Sequence, residues 1–240
     1  MIAVDFHVHT LFSKCGLHTI LELLNQARTI GVKGFAITDH GPAVDGHHNS
    51  VFFERFTSPD PAVRILKGME CNPVDGEGAI DVPVRYLPYM DIVLCGIHLN
   101  IEKGMDESIY TGMLQKTIEA NPVIDVISHP NDPSYPVDFH QLAKTAAAHG
   151  VALELNNSKI HYGRSSTSLA LELLEACRDQ ACRITLSSDT HAIHELGDDG
   201  AILPLLKQIA FPEELIANST AEKAFAFIEE RKSRKRIETG

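Results

Sequence analysis

The residues of this sequence best suited to chemistry are histidines and carboxylates, and what groups them is where they fall. His7 and His9 stand two apart at the end of the apolar run 2–6. On a strand such residues project from one side, so both imidazoles leave one strand end together. Paired neutral imidazoles fill a core poorly and hold a metal well. His-x-His alone is a weak signal. It gains weight because later apolar runs end the same way. The run 34–38 leads into Asp39-His40, 64–69 into Glu70, 92–97 into His98, 123–128 into His129-Pro130, and 183–187 into Ser188-Asp189-Thr190-His191. The run 151–155 carries Glu154 and leads into Asn156-Asn157-Ser158.

These seven runs alternate with amphipathic segments at 19–30, 82–89, 106–119, 138–149 and 166–178, and 200–209 and 221–231 follow the last run. Asp138 and Ser166 suit helix N-caps, Gly31 and Gly150 helix C-caps. Alternation at this spacing predicts an α/β fold with a parallel sheet and helices outside. Seven units without a Gly-x-Gly-x-x-Gly turn favour a closed barrel, whose strand C-termini share one rim. Residues scattered over the chain thereby converge.

The bulk numbers fit that picture. With 240 residues, 44% of them hydrophobic, the chain can bury one large core, and residues 1–240 read as a single domain ending in a basic tail at about 232–240. The run Arg231-Lys232-Ser233-Arg234-Lys235-Arg236 reads as the solvated end of the last helix. A net charge of −11 disfavours long nucleic acids. No apolar run approaches the roughly 20 residues that span a bilayer. There is no secretion-signal pattern, and five cysteines fit no disulfide framework, so a cytoplasmic setting is expected. Thirteen histidines against five tyrosines and no tryptophan mark histidine as the informative residue.

At the rim the metal-capable residues are His7, His9, His40, Glu70, His98, His129, Asp189 and His191. A catalytic zinc uses about three protein ligands plus water, so this set suits two or three ions. Imidazole with carboxylate accepts Zn, Mn or Fe. A carboxylate such as Glu70 can bridge two ions, and ions about 3.5–4 Å apart clamp a phosphoryl group and generate hydroxide near neutral pH.

The motifs His7-x-His9, Thr38-Asp39-His40, Ser128-His129-Pro130 and Ser188-Asp189-x-His191 resemble those of the polymerase and histidinol phosphatase (PHP) superfamily, over essentially the whole chain. The stretches Ile37-Thr38-Asp39-His40-Gly41-Pro42, Gly68-Met69-Glu70-Cys71-Asn72 and Leu153-Glu154-Leu155-Asn156-Asn157-Ser158 are most similar to the stand-alone bacterial phosphatases of the YcdX type. The resemblance implies a distorted (β/α)7 TIM-like barrel, a trinuclear metal site and phosphoesterase activity. It implies one ion on His7, His9, Glu70 and Asp189, a second sharing Glu70 with His98 and His129, and a third on His40, His191 and a residue of the loop after the first strand. The family usually has histidine in that loop, and here Cys15 matches, with His18 the alternative. A thiolate is a good zinc ligand; it tilts that site toward zinc and makes it oxidation-sensitive.

Other residues carry weaker expectations. Asp39 is a candidate to orient an imidazole or take a proton. Arg164, in Gly163-Arg164-Ser165-Ser166, can grip phosphate oxygens, and Lys14 and Lys159 are lesser versions of the same idea. Asn156 and Asn157 read as turn formers that could also bond ligands or substrate. His47 and His48 lie in a polar loop, and His140, His149, His161 and His194 read as surface residues. Glu154 reads as a barrel salt bridge, and Cys71, Cys95, Cys177 and Cys182 as small core residues.

The function expected is therefore a metal-dependent phosphomonoesterase. It would use three divalent ions, zinc foremost, and a metal-bridging hydroxide on a small phosphorylated substrate, with no phosphoenzyme. Asp39, Asp189 or a rim histidine would protonate the leaving group. The alternatives are an amidohydrolase-type hydrolase, which asks for a strand-end lysine or a histidine pair on the middle strands, a phosphodiesterase acting on nucleotides or short oligonucleotides, and an inactive metal-binding scaffold.

Overall fold

Among the described residues, seven strands pair in chain order, every pair parallel: β1 (Val4–Val8), β2 (Gly34–Ile37), β3 (Arg64–Cys71), β4 (Ile92–Cys95), β5 (Val126–Ile127), β6 (Ala152–Asn156) and β7 (Ile184–Ser187). The computed structural model describes residues 2–47 and 49–238, with side chains as far as Ser233; His48 lies outside them. The sheet curls until β7 meets β1. Val8 bridges Thr190, His9 N–H donates to Thr190 O at 2.9 Å, and Thr190 N–H donates to His7 O at 3.2 Å. Lower on the same seam the Asn218 amide donates to Val4 O and Leu186 O and accepts from Leu186 N–H. The result is the expected distorted seven-stranded barrel.

The helices are α1 (Ile20–Ile30), α2 (Ser50–Arg55), α3 (Glu107–Ala120), α4 (Phe139–His149), α5 (Asn157–His161), α6 (Thr167–Asp179), α7 (Leu203–Gln208) and α8 (Ala221–Glu238). Local chemistry sets their ends. Thr19 and Glu22 form a capping box on α1. Asp138 and Ser166 cap α4 and α6, and Gly31 and Gly150 end α1 and α4 in the left-handed conformation. The apolar faces of α1, α3, α4 and α6 pack on the outside of the strands in one core.

A second core fills the barrel below. Val4, Phe6, Ala36, Leu66, Ile92 and Val126, near the strand starts, meet Ala224, Phe227 and Ile228 of α8. That helix plugs the N-terminal mouth and leaves the C-terminal rim for chemistry. The pairing of β1 with β2 shifts register between Asp5 and Val8, and such a bulge re-aims side chains. The strand that sends Val4 and Phe6 into the lower core sends His7 and His9 to the rim.

Three expectations are corrected. Segment 82–89 is not an α-helix but a 3-10 turn, Val84–Tyr89, since Pro88 inside it has no N–H to donate. The last helix, expected over 221–231, continues to Glu238. Arg231 is not solvated: it is buried against Asp125. The short helices α2 and α5 were not anticipated. No described helix is long and apolar enough to cross a membrane.

Candidate metal centre

Glu70, at the end of β3, is the hub of the rim. Its Oε1 accepts from Ser128 Oγ at 2.7 Å and lies 2.9 Å from His129 Nε2 and 3.3 Å from His98 Nε2. Its Oε2 faces His40 Nδ1 at 3.0 Å, His7 Nε2 at 3.2 Å and His9 Nε2 at 3.5 Å. Asp189 Oδ1 lies 3.5 Å from His7 Nε2 and 3.3 Å from His9 Nε2. His7, His9, Glu70, His129 and Asp189 are buried, and His40, His98 and His191 half-buried. The eight residues expected to meet do meet.

The imidazoles are held from behind. His7 Nδ1 contacts Glu154 Oε1 at 2.7 Å, His9 Nδ1 contacts Ser13 Oγ at 3.1 Å, His98 Nδ1 contacts Asn72 Oδ1 at 2.7 Å and His191 Nδ1 contacts Asp189 O at 2.9 Å. Nδ1–H donation in each case is the tautomer that would free all four Nε2 atoms for a metal ion. Glu154 thus makes its salt bridge to His7, and its other oxygen accepts from His129 N–H at 2.7 Å. Ser13 and Asn72 received no role from the sequence. Asn72 is itself fixed by two bonds to Asp81.

Electrostatics fits a cation. Burial would raise the Glu70 carboxyl, yet the surrounding imidazoles hold it well below the usual carboxylate range. Burial would likewise lower His7, yet Glu154, Glu70 and Asp189 lift it well above an ordinary imidazole. Asp189, also buried, is held well below the ordinary range by His7 and His9. Three carboxylates in one pocket draw positive charge to it. Among the described residues no donor is well aligned on the fully buried Glu70 Oε2, although ring nitrogens of His40, His7 and His9 stand 3.0, 3.2 and 3.5 Å from it. A divalent ion would satisfy a carboxylate oxygen and imidazoles so placed.

Among the described residues three groups have ligand atoms within 4.8 Å of one another: His7, His9 and Asp189; His40, Glu70 and His98; and His9, Cys15, His40 and His191. The loop after β1 therefore brings in Cys15, and His18 belongs to none of the groups. Burial pushes the Cys15 thiol up, yet His191 and His40 draw it down to about 7.

Asp39 is tied into the loop after β1. Its oxygens accept from Thr10 N–H, Thr10 Oγ1 and Ser13 Oγ at 2.7, 2.7 and 2.6 Å. It braces Ser13, and through Ser13 the His9 ring; of the two roles expected, this placement suits the orienting one. Arg164 is exposed in the turn between α5 and α6. Lys159 is tied to Asp132 at 2.8 Å, and Lys14 pairs with Asp45 at the surface. Asn156 caps α5 and donates to Glu154 and Asp189, and Asn157 bonds Asp198 and Ala201. His47, His140, His149, His161 and His194 are exposed, and the four cysteines expected in the core are buried.

The rim stores strain at two of its candidate ligands. His129 has φ 33° and Asp189 φ 57°, in the left-handed region, at about 1–3 kcal/mol each. Gly96 shows how tightly the floor is built: a Cβ there would stand 2.3 Å from Ser128 Oγ, 2.9 Å from His129 Cε1 and 3.0 Å from His98 Cε1. Gly96→Ala is therefore expected to push both rings off Glu70 and weaken metal binding by about 10–100-fold. Competitive titration with a zinc chelator checks this, and affinity equal to wild type would contradict it.

A family model described as the PHP domain matches residues 5–172. A probable phosphatase of Edwardsiella ictaluri is 36% identical over 235 residues, 96% of each chain. The probable phosphatase YcdX of Escherichia fergusonii is 35% identical over 235 residues, again 96% of each. Among solved structures, histidinol phosphate phosphatase from Lactococcus lactis, complexed with zinc, L-histidinol and phosphate, is similar in fold. Its TM-score is 0.58 over 89% of this chain and 93% of that one, at 14% identity.

Proposed function

The chain belongs to the PHP domain family and is a metal-dependent phosphoesterase, and from that premise we propose that it is a phosphomonoesterase with a trinuclear site, zinc foremost, acting on a small phosphorylated substrate. The observation that carries this reading is Glu70, whose two oxygens face five imidazoles while one of them lacks an aligned donor. One ion would take His7, His9, Glu70 and Asp189, a second Glu70, His98 and His129, and a third Cys15, His40 and His191. Divalent ions there would supply Lewis acidity toward phosphate oxygens and a water acidified toward neutral pH.

The chain's own residues prepare that chemistry. Glu154, Ser13, Asn72 and the Asp189 carbonyl fix ring orientation, so little is left to reorganise when substrate arrives. Arg164 is the exposed guanidinium this reading assigns to the outer phosphate oxygens. No side-chain nucleophile is invoked, so no phosphoenzyme forms.

The test is elemental analysis of protein purified without added metal or chelator, with p-nitrophenyl phosphate turnover on the same sample. The expected result is close to three ions per chain, mostly zinc, with turnover lost in His7→Ala. One ion or none, and no turnover after metal is restored, would overturn the reading.

A further inference from the structure

Resting on that reading of the metal centre, we propose that Cys15 is a peroxide-sensitive switch. Its sulfur holds the outermost ion, and oxidation of that sulfur releases the ion and turns the enzyme off. The geometry is that of a site and not of a lone thiol. Sγ stands with ring nitrogens of His9, His40 and His191, all within 4.8 Å of one another. Two of these rings are held from behind with Nε2 presented, His9 by Ser13 and His191 by the Asp189 carbonyl. His9 and His40 also face the fully buried Glu70 Oε2 at 3.5 and 3.0 Å, which joins this group to the rest of the rim.

The loop that carries the sulfur is pinned. Leu17 N–H donates to His191 O at 2.9 Å, Leu11 N–H donates to His18 O at 3.2 Å, and a Cβ on Gly16 would lie 2.4 Å from Thr10 O. Cys15 is therefore fixed over the rim at a place open to solvent. Cys71, Cys95, Cys177 and Cys182 are all fully buried. A small oxidant in solution reaches one thiol of the five.

The chemistry balances with a hydroperoxide as oxidant. The Cys15 thiolate gives an electron pair to one peroxide oxygen. The S–O bond forms, the O–O bond breaks, and the departing oxygen takes a proton and leaves as water or alcohol. The sulfenic acid that results is reversible and has lost the thiolate that binds zinc. A small thiol condenses with it, expelling water, and a second thiol frees Cys15 and leaves as a disulfide. The other two ion sites hold no sulfur and lack this sensitivity.

Two readouts test this without relying on turnover. Protein loaded with three cobalt(II) ions should show a thiolate-to-cobalt charge-transfer band in the near ultraviolet. Cys15→Ser and Cys15→His should lack the band, and His18→Ala should keep it. Zinc-loaded protein treated with hydrogen peroxide should release about one zinc per chain to a chromogenic chelator, with one oxygen atom added on the Cys15 peptide. Dithiothreitol and zinc should reverse this, and Cys15→His should keep its zinc under the same peroxide. Three cobalt ions bound without the band would overturn the switch and leave the trinuclear reading standing. Equal zinc release from Cys15→His would do the same. A chain that binds one ion or none would overturn both.

Discussion

Glu70→Gln is expected to lower kcat/KM by at least ~10³-fold and to strip metal from the rim while the barrel stays folded. The substitution keeps size and shape, so what it removes is charge. Glu70 Oε1 serves Ser128, His129 and His98, and Oε2 faces His40, His7 and His9. An amide would set a neutral oxygen against one trio and an NH2 donor against the other. The NH2 would repel any ion on its side, and the neutral oxygen would hold one weakly. Metal ions contribute several kcal/mol of transition-state stabilisation, and each ~1.4 kcal/mol is tenfold in rate, which sets the scale. Steady-state kinetics on p-nitrophenyl phosphate, with metal analysis and circular dichroism of the same preparation, checks all three parts. A variant within tenfold of wild type, with its metal intact, would mean that Glu70 is not the shared ligand.

Glu70 was legible in the sequence for the reason that the whole rim was. In a parallel barrel each strand delivers its C-terminal residue to one place, so the strand-end positions of His7, His9, Glu70, His98 and His129 already imply proximity. What holds those residues was not legible. Ser13 reaches Asp39 across 26 positions, and Asn72 reaches His98 across 26. Neither pairing has a period or motif, because loops after strands meet by tertiary packing alone. Segment 82–89 failed differently: its apolar spacing suits a helix, but prolines at 83 and 88 outweigh spacing. Cys15 was found only by resemblance, since a single cysteine in a loop says nothing until three imidazoles stand beside it.

Arg231 is the deepest miss, and it leads to the largest expected effect on stability. Six residues of which five are Lys or Arg read as a solvated helix end. Periodicity cannot show that this helix lies across the strand starts. There the Arg231 side chain is buried. It donates to Asp125 Oδ1 at 3.0 Å, His149 O at 2.9 Å, Pro122 O at 3.2 Å and Ile124 O at 2.6 Å. Asp125 Oδ2 accepts from Val93 N–H at 2.8 Å, so the same carboxylate ties the plug to β4. One guanidinium therefore locks α8 to three chain segments, a task for its planar fork that an ammonium cannot copy. Arg231→Ala breaks a buried pair and withdraws the donor from three carbonyls, and is expected to destabilise by about 3–5 kcal/mol. For a chain of this length that lowers Tm by roughly 6–20 °C. Arg231→Lys should fall between, keeping the charge but not the fork. Thermal unfolding of the metal-loaded proteins gives the comparison, and the centre at the opposite mouth provides the control. Metal content and kcat/KM well below the lowered Tm should match wild type. A melting temperature within 2 °C of wild type for Arg231→Ala would show that α8 is held by its apolar face alone, by Phe227, Ile228 and Ala224 in the lower core.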